Sequence, residues 1–206
     1  MYFKLFLLLL LWFEWINLSI IVLIVNLFIN NFGKRIFAGF CSNFVDKYNE
    51  IADSFKKELF KELNEMKKGD TITILEIGAG SGANFRYYNR DAVIQAVEPN
   101  KFFETHFLSN RAKYPKLNIN DMKIGFGEDL AAAGVEDSSV DVVVMTLVLC
   151  SVNDQQKCLQ EIKRVLKPGG KFFFMEHIID TDPTIMTIQK ILTQCGFWPF
   201  AFDGRY

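Results

Sequence analysis

The apolar positions of this chain change their rhythm twice. From residue 5 to 29 they are almost continuous, LFLLLLLWFEWINLSIIVLIVNLFI, interrupted by Glu14, Asn17, Ser19 and Asn26. Over residues 36–68 they recur at steps of three and four. Phe44, Tyr48, Ile51, Phe55, Leu59, Leu63 and Met66 make one stripe, which predicts an amphipathic helix. Lys47, Glu50, Lys56, Lys57, Glu58, Lys61 and Glu62 then fall on a solvated face, and the helix start near Tyr48 and Asn49 is a candidate lid. After Gly69 short apolar runs alternate with helix-compatible segments. Strands are predicted at Ile72–Ile77, Ala92–Val97, Met122–Ile124, Val140–Thr146 and Lys171–Met175. Helices are predicted from Gly82, from Lys101 to Lys113, and from Asn153 to Lys167, with Asn153 as N-cap and Pro168-Gly169-Gly170 as the stop.

This alternation predicts an α/β fold, a mainly parallel sheet covered on both faces by right-handed crossovers. The chain divides into an apolar segment 1–33, a linking amphipathic helix 34–69 and an α/β domain 70–206. The first segment exceeds the roughly 20 residues a membrane-spanning helix needs. A mid-span Glu14 is costly, so a hairpin turning near Trp12, Glu14, Trp15 and Asn17 is the second geometry. The run is longer than a signal-peptide core and no small-x-small site follows it. Lys34 and Arg35 against Lys4 place the downstream domain on the cytosolic side.

A net charge of -1 and a pI near 6.2 give no electrostatic footprint for nucleic acid. Cys41, Cys150, Cys158 and Cys195 form no C-x-x-C pair, which favours reduced thiols over a disulfide framework. Nothing in the pattern specifies an oligomer.

The candidate chemistry lies at strand ends. Gly78-Ala79-Gly80-Ser81-Gly82-Ala83 fits the G-x-G-x-x-G/A turn of dinucleotide folds, and Glu98 follows at the distance of a ribose-binding acid. Glu76 argues against a dinucleotide, because a carboxylate under a pyrophosphate is repelled by it and suits a ligand with a cationic amino group. Phe126-Gly127-Glu128-Asp129-Leu130 supplies acids that suit an adenine amino group. These features point to S-adenosylmethionine, although each acid also suits a capping or surface role.

Residues 70–178 resemble the class I S-adenosylmethionine-dependent methyltransferases of the type 11 sort. Within them they are most similar to the membrane-anchored methyltransferase-like 7 family, the alkyl thiol methyltransferases. The matching stretches are LEIGAGSGANF, VEPN, GED, DVVVMTLVLCSV, EIKRVLKPGG and FFFMEH. The resemblance implies a Rossmann-like fold. It also implies that Glu76 binds the methionine end of the cofactor, and that Gly78, Gly80 and Gly82 let it approach the backbone. Glu98 would accept both ribose hydroxyls. Pro99 and Asn100 would flank the adenine, Glu128 or Asp129 would meet its amino group, and Leu147 would lie beside the sulfonium. The implied acceptor is a small lipophilic molecule, a thiol above all, with an oxygen or carbon of a lipid or quinone as the alternative. A non-catalytic, membrane- or lipid-droplet-associated binding protein and a dehydrogenase are the other readings. The implied setting is the endoplasmic reticulum or lipid droplet surface, with the bilayer held by the N-terminal segment.

His177, at the end of the fifth strand, is the candidate base or acceptor-positioning group, against a strand-end histidine bonded to Glu176 or the backbone. His106 reads as structural and Cys150 as a small buried residue beside the pocket. The two strands that complete the family's sheet have no counterpart after Thr184–Cys195, so the fifth strand is expected at an edge.

Overall fold

The computed structural model describes residues 2–66, 69–176, 178 and 181–194. The chain divides into two compact units, residues 1–36 and 37–206. The first is helical, and α1 (Tyr2–Glu65) begins there. Most side chains of the run 5–29, including Trp12, Glu14, Trp15 and Asn17 of the predicted hairpin turn, lie outside the described residues. Among the described residues no helix is long and apolar enough to cross a membrane.

The second unit carries the sheet. In order come β1 (Ile72–Ile77), β2 (Ala92–Glu98), α2 (Glu104–Arg111), β3 (Asn118–Ile124), β4 (Val140–Thr146), α3 (Gln155–Val165), β5 (Leu166–Met175) and α4 (Pro183–Gln194). The five strands are parallel, in the order β3-β2-β1-β4-β5. Strand order reverses between β1 and β4, so a crevice for a ligand opens at their carboxyl ends.

Alternate strand residues face two cores. Ile72, Ile74, Ile94, Val142, Val144 and Phe173 share one with Phe60 and Leu63 of α1, Phe85, and Phe107 of α2. Leu75, Ile77, Val97, Val143 and Met145 face the other with Cys158, Ile162 and Val165 of α3. Each large apolar side chain so buried contributes about 1.5–3 kcal/mol. Burial on both faces explains why β1 and β4 read as nearly unbroken apolar runs.

Several expectations are corrected. The stripe on α1 is rotated: Ala38, Asn49, Ala52, Lys56, Phe60 and Leu63 are buried, whereas Phe44, Ile51 and Phe55 are exposed, Phe55 at 71%. Lys56, expected on the solvated face, is 1% exposed. Hydropathy alone misplaces it because its ammonium is satisfied by buried amide oxygens. No α-helix starts at Gly82. A single 3-10 turn, Phe85–Tyr87, follows, and Tyr88 is already extended. Burial of Phe85, Tyr87 and Tyr88 holds this short connection against the sheet.

β3 starts at Asn118, not Met122, since an edge strand accepts the polar Asn118, Asn120 and Asp121. The segment from Lys101 opens with a 3-10 turn, Lys101–Phe103, capped by the Asn100 side chain. The N-cap of α3 is Asp154, whose carboxylate accepts from Lys157 N at 3.0 Å; Asn153 is engaged elsewhere. α3 ends at Val165, and Pro168-Gly169-Gly170 forms a bulge within β5, where pairing shifts from Val140–Leu166 to Val142–Lys171. A Cβ on Gly170 would sit 2.9 Å from the Asp141 carbonyl, which keeps that position glycine. Among the described residues β5 lies at the edge of the sheet, with Phe174 exposed.

Candidate functional site

β1 runs into a turn that only a glycine opens easily. Gly78 has φ +66°, and its N–H donates to Val97 O at 2.8 Å. A Cβ there would meet Val148 Cγ2 at 2.3 Å. A Cβ on Gly80 would meet nothing nearer than the Phe103 ring at 3.8 Å, so a ligand can approach the backbone there.

Glu98 ties this turn to the end of β2. Its Oε2 accepts from Gly80 N at 3.0 Å and its Oε1 from Asn100 N at 2.9 Å. The carboxylate is 6% exposed. Two amides thus fix its plane beside the glycine turn, a fit for a vicinal diol. Pro99 is exposed and Asn100 buried. Beyond β3, Glu128 is buried, and its Oε1 accepts from Asn153 N at 2.6 Å. Asp129 is exposed and accepts from Ala132 N at 3.1 Å, capping its own turn. Of the two acids of this loop, Glu128 is the buried one.

Across the reversal point, Leu147 adopts φ +59°, strained for a branched side chain. Its N–H donates to Met175 O at 2.8 Å, and the next two amides, of Val148 and Leu149, donate to Glu176 Oε1 at 3.0 and 3.1 Å. His177 lies outside the described residues, as does Cys195. His106 is half-buried on α2, and Cys150 is half-buried with its thiol near Leu147 O.

Glu76 sits deeper than the other acids, 2% exposed. Asn84 Nδ2 donates to its Oε1 at 2.9 Å and the Tyr88 hydroxyl to its Oε2 at 2.9 Å. Burial pushes this carboxyl up to about 7, against the pull of those two donors and of the Lys56 charge. The rest of the assembly is not anticipated by the sequence pattern. Lys56 Nζ donates to Asn49 Oδ1 and to Asn84 Oδ1, each at 2.8 Å. Asn84 Nδ2 also reaches Thr146 Oγ1 at 3.1 Å, and Asn49 Nδ2 donates to Ala83 O at 2.9 Å. The Lys56 ammonium lies 5.3 and 5.5 Å from the Tyr48 and Tyr87 ring centres. Burial lowers it to about 8, the Glu76 charge working against that fall. The available signal was the coincidence of two asparagines, Asn49 and Asn84, with one lysine at helical spacing from the first.

The same stretch of α1 borders the strand ends. Phe37 packs edge-on against Phe103 at 6.0 Å. The Cys41 thiol is pushed up to about 11, by burial first and then by the Glu98 charge. Tyr48 is raised by burial and by Glu176. Residues 37–49 thus pass from Phe103, beyond β2, to the Ala83 carbonyl just past the glycine turn, which Asn49 Nδ2 reaches.

The sequence from 75 to 174 matches a methyltransferase domain family. Thiol S-methyltransferase TMT1A of Homo sapiens is 39% identical over 173 residues, which cover 83% of this chain and 69% of that protein. Thiol S-methyltransferase TMT1B of Rattus norvegicus is 42% identical over 154 residues, covering 74% of this chain and 62% of its own length. In fold, the chain is similar to the YcgJ protein of Bacillus subtilis. There the TM-score is 0.57 and the identity 22%, over 68% of this chain and 58% of the other.

Proposed function

This chain belongs to the thiol S-methyltransferase family, among the class I S-adenosylmethionine-dependent methyltransferases, and on that premise we propose that it methylates the sulfur of a small lipophilic thiol. S-adenosylmethionine supplies a methyl group already activated by its sulfonium charge. The protein's part is to hold an acceptor in line with that carbon and to exclude water.

In this reading Glu98, its plane fixed by Gly80 and Asn100, accepts the two ribose hydroxyls. The turn through Gly78, Gly80 and Gly82 receives the methionine part, with Glu76 beneath it. Pro99 and Asn100 flank the adenine, Glu128 faces its amino group with Asp129 behind, and Leu147 borders the reacting centre. His177 keeps its sequence-based role as the group that positions the acceptor. The carrying observation is the Glu98 carboxylate clamped across the open glycine turn, in a chain 39% identical to a thiol S-methyltransferase. The test is transfer of labelled methyl from S-adenosylmethionine to simple alkyl thiols by the purified chain, beside lipid hydroxyl and quinone acceptors. Turnover confined to oxygen or carbon acceptors would reject the thiol, and cofactor binding without any transfer would make the chain a binding protein.

Residues 1–33 complete the proposal as a membrane anchor that holds the domain on the cytosolic face of the endoplasmic reticulum or of lipid droplets. The near-continuous apolar run 5–29 and the flanking Lys34 and Arg35 support it. A tagged chain should sediment with membranes after alkaline extraction, and deletion of 1–33 should release it. Extraction of the full chain into the soluble fraction would reject the anchor.

A further inference from the structure

Glu176 closes β5 but has no part in the cofactor cradle. Its Oε1 is occupied by the amides of Val148 and Leu149. Its Oε2 is buried and has no hydrogen-bond partner among the described residues. A buried carboxylate oxygen without a donor is costly, and such atoms are rare unless a ligand or a proton completes them.

Its position is informative. The strained Leu147 is bonded to the adjoining end of β5 through Met175 O, and the Val148 side chain stands directly over Gly78. Glu176 is thus built into the wall between the glycine turn and the open end of the sheet. Its charge reaches Tyr48 of α1 and Cys158 of α3. Their hydroxyl and thiol are raised by burial first, and the Glu176 charge adds to both; Glu128 and Glu161 also act on Cys158. Burial raises the Glu176 carboxyl itself, partly opposed by the two amides. The surroundings favour a carboxylate that will take up a proton.

We propose that Glu176 is the catalytic base of the reaction, its Oε2 receiving the proton of the acceptor thiol. The assignment rests on the thiol methyltransferase reading above. As the acceptor S–H bond breaks, the proton passes to Oε2 and the sulfur's electron pair forms the new bond to the methyl carbon. The pair of the broken sulfonium bond stays on the donor sulfur, which leaves as a neutral thioether. The proton then returns to solvent.

The test compares wild type with Glu176→Gln, whose remaining carbonyl oxygen can still accept from Val148 and Leu149. Two acceptors are used, an alkanethiol that is largely protonated at the assay pH and an arenethiol that is already ionised. The expected result is a fall in kcat of about 100-fold or more with the alkanethiol, in the range of general-base contributions. With the arenethiol the rate should stay close to wild type. Affinity for S-adenosylmethionine, by calorimetry, should be unchanged. Equal loss with both thiols would make Glu176 a support of the Leu147 turn, lost cofactor affinity would make it a cofactor ligand, and no loss with either would remove it from the reaction; each overturns the proposal. A wild-type chain that binds the cofactor but methylates neither thiol overturns the thiol reading itself, and the base assignment with it.

Discussion

Lys56 and Asn84 are joined by a buried 2.8 Å hydrogen bond, Nζ to Oδ1, which fixes the amide so that its other end donates to Glu76 at 2.9 Å. One asparagine therefore links α1 to the end of β1. Lys56→Met keeps the stem but leaves the Asn49 and Asn84 oxygens without their donor. Two charge-assisted bonds of this kind are worth about 1.5–3 kcal/mol each before compensation. We expect a loss of roughly 2–4 kcal/mol in denaturant unfolding, with weaker binding of S-adenosylmethionine as the glycine turn loosens. A variant as stable as wild type would show that α1 is held by its apolar contacts alone.

The charge of Glu76 gives the fold a pH dependence. Its folded-state carboxyl lies at about 7 against an ordinary value of 4.5. A raised carboxyl binds its proton more tightly in the folded state, so this contribution is full below 4.5 and is lost as pH rises through about 7. The expected fall is on the order of 3 kcal/mol. Lys56 acts in a different window. Lowered to about 8 from 10.5, it adds stability above 10.5 that is lost as pH falls through 8. Glu76→Gln should flatten the acid-side slope and, by removing the charge that holds Lys56 up, steepen the alkaline one, measured by urea unfolding from about pH 4 to about pH 11, a range that brackets both transitions. An unchanged acid-side slope would remove Glu76 as its source.

These two residues also show what the sequence disclosed and what it did not. The sheet was legible because β1 and β4 are buried on both faces and so carry long apolar runs, and the glycine turn because Gly78 and Gly80 need positive φ. Glu98 could be found from its distance to the glycines. Lys56 could not, because pattern reading assigns a lysine to solvent and sees neither Asn49 nor Asn84 folding over it. The rotation of α1 follows from the same blindness: Phe44, Ile51 and Phe55 looked like core, while a polar cluster held the buried face. Glu176 stood in plain view beside His177 in the sequence, but that its Oε2 is buried without a partner among the described residues is a fact of three dimensions.

Glu98 anchors two amides as well as serving, in the proposed function, as the ribose ligand, so its removal has two parts. Glu98→Ala should leave a folded domain that no longer binds S-adenosylmethionine measurably by calorimetry. Glu98→Gln should keep part of the backbone anchoring and lose about 10–100-fold in affinity, the loss of one charged hydrogen bond. Unchanged affinity in the alanine variant would remove Glu98 from the cofactor site.

Gly78→Ala separates steric from conformational demands. The new Cβ would fall 2.3 Å from Val148 Cγ2, and φ +66° costs an L-residue about 1–2 kcal/mol by itself. The single variant should push the turn after β4 outward, disturbing both the glycine turn and the Val148 and Leu149 amides that Glu176 holds. Val148→Ala in the same chain removes the clashing methyls and leaves the φ strain. The double variant should therefore recover part of the lost melting temperature and cofactor affinity, but not all of it. If the double variant is no better than Gly78→Ala, backbone strain alone accounts for the glycine. If it recovers fully, the contact with Val148 is the whole requirement, and the two sides of the crevice are coupled through that one side chain.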